Sequence, residues 1–180
     1  MPVSVFVGVS VDGFIARKNG ALDFLPPNGG EPHGYGEFIK SIDAIVIGRN
    51  TYEVVLGFGG WAYGKKRVVV LSSHPLDFSA IRGGKVEQMS GEPKEILTRL
   101  AATGAKHLYV DGGITVQRFL RAGLVDKITV TRVPVLIGEG IPLFSALPSD
   151  IRLNHIATTA YKSGLVKSEY SVAAIGPSPS

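Results

Sequence analysis

The sequence contains no cysteine. That single absence removes disulfides, thiolate nucleophiles and Cys-based zinc or iron–sulfur centres together, and it names no redox compartment. Its four histidines, His33, His74, His107 and His155, stand apart, with no second His or carboxylate at ligand spacing, so no metal site is expected. No Gly-x-Ser-x-Gly elbow offers a serine nucleophile. No apolar run approaches the roughly 20 residues of a membrane span. The N-terminus is apolar but lacks a basic start and runs into Asp12, so a signal peptide is rejected and a cytoplasmic protein is expected. Charge is sparse as well: 19 basic and 15 acidic residues give a net charge of +4. The densest cluster, Lys65-Lys66-Arg67, reads as a solvated loop, and basic residues do not interleave with aromatics, so nucleic acid is not expected as a partner. An anionic small molecule accounts for the small positive excess equally well.

What the chain does have is apolar residues, 44% of the total, and glycine, 23 of 180. The first supplies a real core and excludes disorder as the dominant state. The second, without a collagen period, points to tight turns or to backbone lying close to a ligand. The length suits one domain of about 100–200 residues, taken as 1–175, with a Gly/Pro/Ser tail at 176–180.

Val3, Val5, Val7 and Val9 alternate with Phe6 on the other face, as a strand requires. A short helix is expected over Gly36–Ser41, and Ala44-Ile45-Val46-Ile47 reads as a strand buried on both faces. Thr51–Leu56 begins a helix. Val68–Leu71 is a second buried strand, Glu92–Thr103 an amphipathic helix, Leu108–Val110 a third buried strand and Thr115–Ala122 a helix. Ile128–Val135 forms a long strand, and Leu153–Val172 a hairpin turning near Lys162-Ser163-Gly164. Strands alternate with helices as far as residue 125 and then continue alone. This is an α/β pattern with a sheet parallel in its middle and antiparallel at its C-terminal edge.

Three strand ends carry the chemistry. Ile47-Gly48-Arg49-Asn50-Thr51 runs from strand through glycine into the first turn of a helix, and Val110-Asp111-Gly112-Gly113-Ile114-Thr115 repeats that arrangement. Leu71-Ser72-Ser73 ends a third strand in hydroxyls. In an open α/β sheet ligands lie beyond the carboxyl ends of the strands, where helix N-termini present free N–H groups to phosphate. Glycine admits the phosphate to the backbone, and Arg49 adds a charged fork. Together they fit a dinucleotide with several phosphates, although no Gly-x-Gly-x-x-Gly follows the first strand.

The same residues resemble the dihydrofolate reductase superfamily, and within it the branch of the riboflavin-biosynthesis reductase (RibD C-terminal type). The resemblance rests on Val9-Ser10-Val11-Asp12-Gly13-Phe14-Ile15-Ala16, Ile47 to Glu53, Val69 to Ser73, Val110-Asp111-Gly112-Gly113, Phe119-Leu120, Gly123-Leu124-Val125-Asp126 and Pro134 to Phe144, in family order over nearly the whole chain. It implies a three-layer α/β/α fold around a mixed central sheet, NADPH as cofactor and a homodimer. It would place Gly48, Arg49 and Thr51 at the cofactor phosphates, with Arg49, Leu71, Ser72 and Ser73 around the 2′-phosphate. Gly112, Gly113, Ile114 and Thr115 would hold the pyrophosphate, and Gly8 and Ile15 would border the nicotinamide.

The implied activity is NADPH-dependent hydride transfer to a small heterocyclic or ribosylaminopyrimidine-like substrate, as in a 5-amino-6-(5-phosphoribosylamino)uracil reductase. The cofactor carries the chemistry and the site positions it. In dihydrofolate reductase a helix carboxylate faces the pterin; the matching position here falls at or near Gly34, with Glu31 and Glu37 close by, a departure that weighs against folate reduction. Asp111 takes the place of an acidic residue near the substrate ribose in the riboflavin branch. The proton donor is left unassigned among Asp111, Glu37 and Asp12. Dihydrofolate reductase proper and a nucleotide-binding module without turnover stay open as alternatives.

Overall fold

The computed structural model describes residues 1–27 and 30–174. The expected tail at 176–180 and the Asn28-Gly29 part of the first long loop lie outside the described residues. In chain order the elements are β1 (Val3–Ser10), β2 (Phe14–Ala16), α1 (Tyr35–Lys40), β3 (Ala44–Gly48), α2 (Arg49–Leu56), β4 (Arg67–Leu71) and β5 (Lys85–Met89). They continue with α3 (Pro93–Ala102), β6 (Leu108–Asp111), α4 (Gly113–Arg121), β7 (Lys127–Val133), β8 (Ile141–Pro142), β9 (Leu153–Ala160) and β10 (Val166–Val172).

Eight strands make one sheet in the order β5-β4-β3-β6-β1-β7-β10-β9. The pairs from β5 across to β7 are parallel, and β10 and β9 close that side antiparallel, as the run of strands without helices implied. The alternation in β1 divides the core. Val3, Val5, Val7 and Val9 pack with Ile96 and Leu100 of α3 and Val116, Phe119 and Leu120 of α4 on one face. Phe6 joins Ile45, Ile47, Val68 and Val70 on the other, beneath Tyr52 and Val55 of α2, with Tyr35 and Phe38 of α1 against them. Two helical layers therefore sandwich the sheet, which is the three-layer α/β/α arrangement.

Several expectations shift. β5, with Lys85 and Glu87 at alternate positions, carries no apolar run to reveal it; it lies at the sheet edge, where charge is tolerated and useful. The ribbon of β2 and β8 was also unforeseen. The second and fourth helices start at Arg49 and Gly113 rather than at Thr51 and Thr115, directly after their strands. β7 stops at Val133 instead of Val135 because Pro134 has no N–H for the ladder. α3 keeps its expected place, and its N-terminus is closed by a capping box between Glu92 and Glu95 with Pro93 following.

Candidate active site

β3 and β6 are neighbours in the sheet, and the helices that follow them leave on opposite faces, α2 over one layer and α4 over the other. Adjacent parallel strands whose helices diverge open a crevice at their carboxyl ends. Here it forms a cleft of about 840 Å³ that runs from Leu71 and Arg118 past both helix starts to Phe6, His33 and Phe58.

The two helix starts are built alike. Gly48 is the N-cap of α2 and Gly112 the N-cap of α4; neither helix has a side-chain cap or an acidic residue in its first turn. The N–H groups of Arg49, Asn50 and Thr51, and of Gly113, Ile114 and Thr115, lack an intrahelical acceptor by helix geometry. Beyond the β3–β4 ladder, which runs as far as Gly48 and Leu71, no loop or turn carbonyl among the described residues accepts from them. The contrast with the capping box on α3 is direct: the helix outside the cleft closes its N–H groups with side chains, and the two at the cleft leave them open. The glycines are also reciprocal. A Cβ on Gly48 would lie 2.9 Å from Thr115 Oγ1, and one on Gly112 would collide with Thr51 Oγ1. Gly112 has φ +93, a conformation L side chains avoid. Gly113 is pressed by Ile141 and Ile15, whose atoms would come within 2.9 and 3.1 Å of an added Cβ. Donors, glycines and the flanking Arg49 and Arg118 fit an extended phosphate-bearing dinucleotide. Arg49 Nε lies 2.8 Å from Glu53 Oε1 on the same helix, with half of its side chain exposed.

Asp111 ends β6 at the centre of the cleft. Gly112 N–H donates to its Oδ1 at 2.8 Å, and the Tyr63 hydroxyl to its Oδ2 at 3.4 Å. The residue keeps partial access to the cleft while protein encloses the carboxyl group, and this burial raises its pKa. The Gly112 N–H and the Tyr109 and Tyr63 hydroxyls pull in the other direction without overcoming it. Tyr109 donates its proton to the Phe6 carbonyl at 2.9 Å and acts on Asp111 as a neighbouring dipole. The surrounding phenols shift too: burial, then the Asp111 charge, pushes Tyr35 up to about 12 and Tyr63 well above its ordinary value. The arrangement holds a carboxyl group that keeps its proton to higher pH than an ordinary one, ringed by phenol hydroxyls.

Of the residues singled out in the sequence, Gly8, Ile15, Gly48, Arg49, Thr51, Leu71, Asp111, Gly112, Gly113, Ile114 and Thr115 all line this cleft. Four do not. Ser72 and Ser73 lie just beyond the end of β4; Ser72 Oγ donates to the His74 carbonyl at 2.8 Å and shapes the turn there. Asp12 accepts from Ile137 and Gly138 N–H at 3.3 and 2.8 Å, tying the loop before β8 to the end of β1. Glu37 projects from α1 into solvent and pairs with Lys40 at 3.1 Å. Both carboxylates are corrected to structural roles, because neither reaches the cleft. Gly34 is the N-cap of α1 at the cleft wall, and Glu31 lines the rim. Sequence reasoning missed Phe6, Leu25, His33, Tyr35, Tyr63 and Arg118. Phe6 carried a usable signal, since its even position in β1 faces the opposite side from the valines. Tyr63 sits in an irregular Gly-rich stretch with no period to mark it.

No helix among the described residues is long and apolar enough to cross a membrane, and no group of three His, Asp or Glu residues there could hold a metal ion.

Known proteins bear on this geometry. The chain is similar to a protein from Shewanella sp. PV-4 provisionally assigned to riboflavin biosynthesis, with a TM-score of 0.88, 35% identity, and coverage of 97% of this chain and 100% of that one. It shares its fold with the diaminohydroxyphosphoribosylaminopyrimidine deaminase/5-amino-6-(5-phosphoribosylamino)uracil reductase of Thermotoga maritima (TM-score 0.74, 15% identity), covering 96% of this chain and 56% of that one. The fold likewise matches dihydrofolate reductase from Enterococcus faecalis, solved with NADP(H), at a TM-score of 0.65 and 19% identity over 96% of that chain and 95% of this one. The RibD C-terminal domain family matches residues 2–167, from the residue before β1 into β10, and takes in both helix starts and Asp111; the chain belongs to that family.

Proposed function

We propose that this protein is an NADPH-dependent reductase that delivers a hydride to a small heterocycle, ribosylaminopyrimidines being the class suggested by the name of the Thermotoga relative. One observation carries this reading: two helices with glycine N-caps and open N–H groups face each other across a cleft whose centre is a buried carboxyl group. The helix starts and Arg49 hold the phosphates of the dinucleotide, and Gly8 and Gly113 leave room for the nicotinamide beside the apolar side chain of Ile15. When bound, NADPH supplies the hydride. The residues of this chain supply the proton and the dry surroundings. Asp111 is the proton donor in this reading: burial raises its pKa, and Tyr63 orients it.

The test is a fluorescence titration with NADPH and NADH, followed by NADPH consumption in the presence of pyrimidine and pteridine acceptors. Saturable NADPH binding with acceptor-dependent oxidation is expected. Binding without oxidation of any acceptor would make the protein a nucleotide-binding module, and absence of binding would end the reductase reading altogether.

A further inference from the structure

The cleft is electrostatically lopsided. Among the described residues lining it, the only lysine or arginine side chains are Arg49 and Arg118. Both stand on the two helices that begin at the dinucleotide end, and Arg118 is drawn further outward, its Nη2 donating to the Gly91 carbonyl at 3.0 Å. The other half, between β1, the start of α1 and the far end of α2, is walled by Phe6, Leu25, Tyr35, Val54, Phe58 and Tyr63.

The ionisable groups this half presents on its floor and rim are acidic. Asp111 forms its floor, and Glu31 stands at its rim. The Ser163 hydroxyl and N–H donate to Glu31 Oε1 and keep that carboxyl below its ordinary pKa, so it is an anion at neutral pH. His33 Nδ1 lies 3.1 Å from the Glu31 carbonyl and donates to it, which leaves the Nε2 edge of the ring turned away from that contact. The nearby lysines are engaged elsewhere and do not line the cleft. Lys167 donates to the His33 carbonyl at 2.9 Å, Lys66 to the Ile42 carbonyl at 2.6 Å, and Lys40 pairs with Glu37. A phosphate placed here would find no lysine or arginine on the lining, would meet the Glu31 carboxylate at the rim, and would leave water for an apolar wall. Buried anions without a paired cation are strongly disfavoured.

The walls suit a flat ring instead. Phe6 lies at 5.5 Å and a steep angle to Tyr35 and at 5.7 Å to His33, which makes an aromatic corner. Phenol hydroxyls and the Asp111 carboxyl offer hydrogen bonds along its floor.

We infer that the substrate half of the cleft takes an uncharged, planar heterocycle carrying no phosphate, so that the acceptor of this enzyme is a dephosphorylated base or nucleoside-like compound rather than a phosphoribosyl ester. This rests on the reductase reading and narrows it. A reaction that uses this acceptor must follow a phosphate-removing step or draw on compounds that were never phosphorylated.

The test uses the full chain saturated with NADP⁺ and titrates it calorimetrically with matched pairs, a ribosylaminopyrimidine and its 5′-phosphate, and riboflavin and its 5′-phosphate. In each pair the unphosphorylated member is expected to bind at least about tenfold more tightly. Equal or tighter binding of the phosphate esters would overturn the inference, and so would failure of every uncharged member to bind. NADP⁺ binding is measured in the same samples beforehand. Its absence would sink the reductase reading, whereas a preference for phosphate esters on a protein that holds NADP⁺ would sink only this inference.

Discussion

Gly112 at the start of α4 and Thr51 in the first turn of α2 face each other so closely that a Cβ on the glycine would occupy the place of the threonine hydroxyl. With φ +93, Gly112 is also in a conformation that other residues reach only with strain. Replacing it by alanine imposes both costs at the point where two sets of open N–H groups converge. Gly112→Ala is expected to lose roughly 1–3 kcal/mol of stability from backbone strain alone. It should also weaken NADPH binding by at least about tenfold. Thr51→Ala added to Gly112→Ala relieves the collision but not the strain, so affinity should return in part while stability stays low. Thermal denaturation and fluorescence titration of the natural protein and the two variants separate these effects. Unchanged NADPH affinity in Gly112→Ala would remove the helix starts from the cofactor site.

Arg49 is positioned by Glu53, one helical turn further on, at 2.8 Å. A phosphate on the adenosine ribose would compete with that carboxylate for the guanidinium. Arg49→Ala should therefore abolish a preference for NADPH over NADH by lowering NADPH affinity about tenfold and leaving NADH nearly untouched. Glu53→Gln frees the guanidinium and should move the preference the opposite way. The pair is half exposed, so its own contribution to stability is small, and neither variant should shift the melting temperature appreciably. An unchanged NADPH/NADH ratio in Arg49→Ala would exclude contact with the 2′-phosphate.

Asp111 links activity to stability with opposite signs. Burial raises its pKa in the folded state, so between the ordinary value of 3.8 and the raised one the folded protein holds more protons than the unfolded chain. The stability contributed by this group therefore falls as pH rises through that window and stays lowered above it. Asparagine does not ionise; its Oδ1 can still accept from Gly112 N–H, and its Nδ2, in the place of Oδ2, can donate to the Tyr63 hydroxyl. Asp111→Asn is thus expected to match the natural protein in strongly acidic solution and to exceed its stability near neutral pH, by denaturant titration at several pH values. Its turnover should fall by about 10²–10⁴ while NADPH binding persists. A variant that is less stable at every pH, or that turns over normally, would contradict the assignment of Asp111 as a buried proton donor.

The architecture was legible because β3, β4 and β6 are written as dense apolar runs and β1 as an alternating one, and the ends of β3 and β6 put Gly48 and Gly112 where ligands gather. Arg49 and Asp111 came with them, one residue from each glycine. β5 escaped because an edge strand needs no apolar pattern, and Lys85 and Glu87 hide it. The substrate wall escaped for another reason. Phe6, Leu25, Tyr35, Phe58 and Tyr63 come from four different segments, and only the meeting of β1, the loop before α1, the start of α1 and the loop between α2 and β4 brings them together. Asp12 and Glu37 misled because a carboxylate near a matching motif looks the same in sequence whether it faces a cleft, a turn or water.

The two edges of the sheet are guarded unequally, and this bears on assembly. β5 carries Lys85 and Glu87, and Arg67 from β4 pairs with Glu87 across it. β9, Leu153-Asn154-His155-Ile156-Ala157-Thr158-Thr159-Ala160, has no Lys, Arg, Asp or Glu, and seven of its eight residues are exposed. It pairs only with β10, so among the described residues one row of its backbone groups is free. Edges of this length are normally blunted by charge, proline or a cover. The homodimer implied by the family resemblance would supply the cover if β9 of a second copy added antiparallel across a two-fold axis, a geometry in which an uncharged strand meets its own like without repulsion. Light scattering at micromolar concentration is expected to give the mass of two chains. Ile156→Lys, which places like charges close together on both copies, should shift that mass toward one chain with the circular dichroism of the fold retained. A natural chain that scatters as a monomer, or an Ile156→Lys variant that stays dimeric, would rule out β9 as the contact.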